Sequence, residues 1–255
     1  MKITSIALDK AVSDGPIDAF SHVLLGDWPT LDEVLGCLAS LQAADPLHRH
    51  LCTLDDVGQC RYTSMHASDD ERIALYEDED PATPEDALAA RERLLAHVVA
   101  QLEHSTHRLQ WTALAGTLMC SDEDIEALVA ANAKPDLIID DVVCVQQVPV
   151  ASDDLLIAAL PNGYFSADWD LFQNHALIRH LQERHDYRLF GLGASWLGFQ
   201  RDRAPSPAEA SALVADLQRV YAAGTHDTWS QLAATLANRT TLLLGYTEDF
   251  SEQLP

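Results

Sequence analysis

The chain has 255 residues, with 16 basic and 40 acidic side chains and a formal net charge of −24 at pH 7. A surface this negative repels phosphate backbones and anionic bilayers, which sets nucleic acid and membranes aside as partners. Hydrophobic residues form 47% of the chain, too many for an acidic disordered tail and enough for a buried core in one large domain or two small ones.

The first residues, MKITSIALDK, turn polar at Asp9, where a secretion signal would continue apolar, so a cytoplasmic protein is expected. Residues 3–8 read as a strand. Thr30 with Glu33 forms a capping box ahead of Leu31, Val34, Leu35, Leu38 and Leu41, spaced as one helix face. Residues 44–82 show little regular pattern and are crowded with acids. Thr83 opens the next helix, with Pro84 at its first position and Glu85 and Asp86 in its first turn, and this helix is expected to reach about residue 108. Ser121 with Asp124 opens another, carrying Ile125, Leu128 and Val129. Acids at such starts satisfy free backbone N–H groups, so they need no catalytic explanation.

Beyond residue 134 the pattern alternates. Strands are expected at 137–139 with 142–145, at 155–160, 188–192, 196–199 and 241–244. Helices are expected over 171–185, from Ser206 to near Gly224, and over 228–238. The unbroken apolar run at 155–160 suggests a sheet covered on both faces. The fold class is therefore α/β or α+β, a mixed β-sheet flanked by helices. Lys134 and Pro135 mark a soft boundary between an acidic N-terminal region (1–134) and a compact α/β C-terminal domain (135–255), although a single domain also fits.

The glycine-rich element at 191–198 carries no recognised chemistry. Its third glycine, Gly198, lies two places too far along for a dinucleotide fingerprint, and Leu197 stands where a nucleophile elbow needs glycine. A tight connection between two strands, with glycines allowing positive φ, accounts for it. Cys37, Cys52, Cys60, Cys120 and Cys144 are odd in number and contain no CxxC pair, which points to free thiols. His48, His50 and Cys52 alternate along an extended segment, with Cys60 as a fourth donor, but lack a second ligand pair at zinc-finger spacing.

Arg93, His97, Gln101, His104 and Arg108 recur every three to four positions, with His107 beside them. His97, His104 and His107 are thus metal-ligand candidates, set against the simpler reading of a solvated helix face. His175, His180 and His185 are five apart, about 140° around a helix, so one helix alone cannot gather them. Asp168 and Asp170 flank Trp169 just before a helix, where Asp commonly caps.

Residues 163–166, 172–177, 187–195 and 215–217 together resemble the C-terminal part of an uncharacterised bacterial domain family. The resemblance implies an aromatic-rich segment, a helix, a glycine-containing hairpin and a closing helix. It carries no catalytic residues. Small acidic proteins of this kind also resemble immunity proteins, which neutralise toxins delivered between competing bacteria.

The first functional expectation is accordingly an acidic cytoplasmic protein, without a cofactor, that neutralises a basic, nuclease-like secreted toxin by direct binding. The partner-binding candidates are Asp69, Asp70, Glu71, Glu77, Asp78, Glu79 and Asp80, seven acids offset only by Arg72. A metal-dependent hydrolase or metal-binding regulator using His97, His104 and His107 is the alternative, and a structural adaptor without a ligand is a third. No catalytic residue is assigned.

Overall fold

The computed structural model describes residues 1–75 and 81–254. Four helices begin where the side-chain chemistry predicts. Thr30, Thr83, Ser121 and Ser206 each close a reciprocal capping box, opening α2 (Leu31–Ala44), α4 (Pro84–Glu103), α5 (Asp122–Ala133) and α7 (Pro207–Tyr221). Asp170 caps α6 (Leu171–His185) in the same way. The remaining helices are α1 (Leu8–Asp14), α3 (Val57–Ala67) and α8 (His226–Leu236).

Among the described residues, seven strands form one mixed sheet: β1 (Lys2–Ser5), β2 (Ser21–Gly26), β3 (Arg49–Thr53), β4 (Val143–Val148), β5 (Arg188–Leu192), β6 (Trp196–Gln200) and β7 (Thr241–Gly245). Their order is β1-β2-β4-β3-β5-β6-β7, and only the β3–β5 pairing is parallel. Every residue of β7, and nearly every residue of β4 and β6, is buried, as expected of strands covered on both faces. β2 alternates buried with half-buried positions, and the edge strand β1 is exposed throughout. The expected mixed sheet flanked by helices is the fold.

Several local expectations are corrected. The boundary at residue 134 does not divide the sheet, because β4 of the second region lies between β2 and β3 of the first. One hydrophobic core spans both regions. The apolar run at 155–160 belongs to a buried 3-10 helix, Asp153–Ala159, and 137–139 falls largely in another, Pro135–Ile138. A segment buried on all sides has no periodicity to separate strand from helix. Residues 44–82, read as irregular, contain β3 and α3, and β2 and α1 were not anticipated. α4 stops at Glu103 rather than near 108, with His104 as its C-cap.

The strand directions decide what meets at each end of the sheet. β2, β3, β5 and β7 all finish at one end, where β4 and β6 begin. At the other end β3 begins with Arg49 and β5 with Arg188, and Arg201 follows β6.

Candidate functional site

At the end where β2, β3, β5 and β7 finish, the connecting segments supply Asp27, Asp55, Asp56, Asp140, Asp141, Glu248 and Asp249, joined by Asp168 from the segment before α6. Backbone hydrogen bonds tie these segments into one rim. Trp28 donates to Asp141, Asp140 to Leu54, Ala194 to Asp55, Tyr246 to Ser195 and Trp169 to Tyr246, at 2.9–3.3 Å. Several of the carboxylates also cap backbone N–H groups. Asp140 accepts from Val57 (3.1 Å), Asp56 from Gln59 (2.9 Å), Asp55 from Ser195 (2.9 Å) and Asp168 from Glu248 (3.2 Å). These bonds give the acids a structural duty. No ion pair reaches any of the eight carboxylates among the described residues, so none is neutralised by a cation.

Asp55 is the hub of this rim. One carboxylate oxygen takes the Ser195 N–H, while the other is sealed from solvent without a hydrogen-bond partner. Burial pushes the carboxyl up to about 7, against the pull of its backbone hydrogen bonds. Gly193 makes the arrangement possible for a reason other than the expected one. Its φ is not positive; rather, a Cβ there would sit 1.7 Å from the Asp55 Oδ1. The Tyr246 hydroxyl donates to the carbonyls of Gly193 and Ala194 (2.8 and 2.7 Å), which locks the β5–β6 connection over the acid.

Beside this hub lies a cleft of about 560 Å³, lined by Asp56, Phe165, Asp168, Ser195 and Glu248 among others, with no Lys, Arg or His in its wall. Burial raises Asp168 to about 6, and the neighbouring Glu248 charge adds to that rise. Phe165 is 48% exposed at the cleft, and Trp28 is 75% exposed farther along the same rim. A concave wall of carboxylates outside ion pairs, edged by the exposed Phe165 ring, suits a cationic side chain, which gains charge pairing and a flat apolar contact together.

The sequence-derived candidates lie elsewhere. Asp69 and Glu71 are exposed just after α3. Asp70 is held on both oxygens by Arg72, which also bridges to Asp170 (2.7 Å) and lies over the Phe172 ring. That pairing fastens the segment to α6 and holds the Asp70 carboxyl below its usual range, the Arg72 hydrogen bond outweighing burial. Glu77, Asp78, Glu79 and Asp80 lie outside the described residues.

The histidine candidates are similarly dispersed. His104 and His107 have ring centroids 5.5 Å apart, and His107 meets Phe172 edge-on. His97 sits back on α4 and is not gathered with them. His48 is engaged by Asp45 at 2.7 Å, and Cys52 and Cys60 are buried thiols. Among the described residues, the group of three whose ligating atoms lie within 4.8 Å of one another is His180, His185 and Asp216. The five-residue spacing separates consecutive histidines by about 140° around α6, but the partner carboxylate comes from α7 and draws two of the three histidines together. His175 turns instead to Asp154, at 3.2 Å.

No protein-family model matches the chain, and no curated protein or solved structure does either. Fold and site together define an acidic α/β or α+β protein with a mixed sheet, whose carboxylates outside ion pairs collect at one end of the sheet.

Proposed function

We propose that the protein binds a basic protein partner through this acidic rim, as an immunity protein neutralising a nuclease-like toxin would. The observation that carries the reading is the gathering of Asp56, Asp168 and Glu248, free of ion pairs among the described residues, around a cleft without basic lining, on a rim that carries further acids. Such a field speeds encounter with a cationic surface and excludes acidic competitors. A toxin that grips phosphate must itself be cationic at its active site, which is the surface an inhibitor has to cover. Five free cysteines and the absence of any helix, among the described residues, long and apolar enough to cross a membrane accord with a cytoplasmic location.

Titration with an arginine-rich peptide, followed by backbone NMR at increasing salt, tests the reading. Shifts should cluster at Phe165, Asp168, Ser195 and Glu248, and affinity should fall at least roughly tenfold from low to physiological ionic strength. Asp168→Asn with Glu248→Gln should weaken binding, whereas Asp9→Asn with Asp14→Asn on α1 should not. Equal effects from the two pairs would mean diffuse attraction to a negative protein and would overturn the assignment to the rim.

A further inference from the structure

His180 and His185 approach one oxygen of Asp216 from two directions. The Nε2 atoms stand 2.9 and 3.0 Å from Oδ2, and the ring centroids are 5.6 Å apart. Two features fix this arrangement before any ligand arrives. Trp111, in the 3-10 helix Trp111–Leu114, stacks on His180 at 4.0 Å with the rings 9° from parallel. Arg219 holds the other Asp216 oxygen at 3.3 Å, which leaves Oδ2 facing the imidazoles. His185 is buried, whereas the His180 and Asp216 side chains remain 18% and 17% exposed, so solvent reaches the centre of the group.

We infer that His180, His185 and Asp216 form a site for one divalent transition-metal ion of the zinc class, clamping α6 to α7. Two imidazoles and one carboxylate are the donor set that zinc and its neighbours in the series accept. In a tetrahedral centre with bonds of about 2.0–2.1 Å, neighbouring donor atoms lie about 3.3 Å apart. The observed separations of 2.9 and 3.0 Å to Oδ2 therefore need to widen by only a few tenths of an ångström. The ion takes the place of the Nε2 protons now directed at Oδ2. Each imidazole then carries its proton on Nδ1, and any surplus proton leaves to solvent. A water from the exposed side supplies the fourth ligand. The site is independent of the acidic rim and of any partner that binds there.

Equilibrium dialysis of untagged, chelator-treated protein against Zn²⁺, with Co²⁺ as a spectroscopic probe, tests the site. The wild type should take up one equivalent of either metal, and Co²⁺ should give the visible bands of a tetrahedral nitrogen–oxygen centre. Asp216→Asn and His185→Gln should each weaken uptake at least about tenfold, with thermal unfolding of the metal-free variants reporting that they remain folded. A His97→Gln, His104→Gln, His107→Gln triple variant should bind as the wild type does. Wild-type protein that takes up no stoichiometric Zn²⁺ and gives no tetrahedral Co²⁺ spectrum would overturn the inference. So would unchanged uptake in folded Asp216→Asn and His185→Gln.

Discussion

The two ends of the sheet use the same kinds of residue for opposite purposes. Where β3 and β5 begin, acids and arginines interleave. Arg49 and Arg188 share Asp153 (3.4 and 3.8 Å), Arg188 also reaches Asp202, and Arg201 with Arg203 closes on Glu209 (3.5 and 2.6 Å). Where β3 and β5 finish, eight acids stand outside any ion pair among the described residues, with Lys2 lining a shared hollow with Asp27 and Asp141. The carboxyl groups register the difference. Arg203 and the cap of Ser206 hold Glu209 well below its ordinary value, and Arg188 does the same for Asp202. Burial instead lifts Asp55 and Asp168. Asp153 departs from the pattern, since its burial outweighs both arginines and raises it. The paired end satisfies its own charges, and the acidic end leaves its carboxylates outside ion pairs among the described residues.

The harshest way to break the acidic end is Gly193→Ala. The new methyl would meet the Asp55 Oδ1 at 1.7 Å and the Asp55 backbone N at 2.7 Å, and the backbone contact cannot yield by a side-chain rotation. A loss of about 3 kcal/mol or more is expected by urea unfolding, at the upper end of the usual cost of overpacking. A change under about 1 kcal/mol would show that the rim is looser than the geometry implies.

A gentler prediction separates the two ends by pH. Asp55 holds its proton to about 7 in the folded chain, against an ordinary value of 3.8. Its contribution is therefore fully present below pH 3.8 and is lost as pH rises through about 7. The limit of that loss is about 4 kcal/mol, from a shift of roughly three pH units at about 1.4 kcal/mol each. Asp202 and Glu209, held low at the paired end, act in the opposite sense and lose their contribution on acidification. Asp55→Asn should flatten the decline in unfolding free energy between weakly acid and neutral pH while leaving the acid limb unchanged. An unaltered pH profile would mean that Asp55 is ionised in the folded protein.

The contrast between the ends was hidden in the sequence for a physical reason. Helix starts were legible because a cap is local: Thr30, Thr83, Ser121 and Ser206 each bond within three residues. The rim acids come from several segments, and only the insertion of β4 between β2 and β3 brings Asp140 and Asp141 beside Asp55. The one sequence sign was acids directly after buried apolar residues, at Leu54-Asp55 and Ile139-Asp140. α3 escaped because it shows little amphipathic contrast and begins from Asp56 in a left-handed conformation, with φ of 35°. His180 and His185 were set aside on spacing within one helix, which carries no information about a carboxylate on another. The run at Asp69–Glu71 stood out because it is contiguous, yet Asp70 there is already paired with Arg72.

The smallest expected effect falls at the cleft itself. Asp168 is raised to about 6 by burial and then by Glu248, but solvent still reaches it, so the linked stability is screened to about 1 kcal/mol or less. Removing its charge by Asp168→Asn should hardly move the thermal midpoint and should retain the acceptor for the Glu248 N–H. Binding should respond more strongly than stability. A cation in the cleft favours the carboxylate, so wild-type affinity for an arginine-rich peptide should rise with pH through about 6, as Asp168 gives up its proton. The Asp168→Asn protein should lack that rise and bind throughout as the acidified wild type does. Calorimetric titrations on either side of that pH check both statements. A rise of equal size in the variant would place the titrating group outside the cleft, and with it the contact that distinguishes the two ends of the sheet.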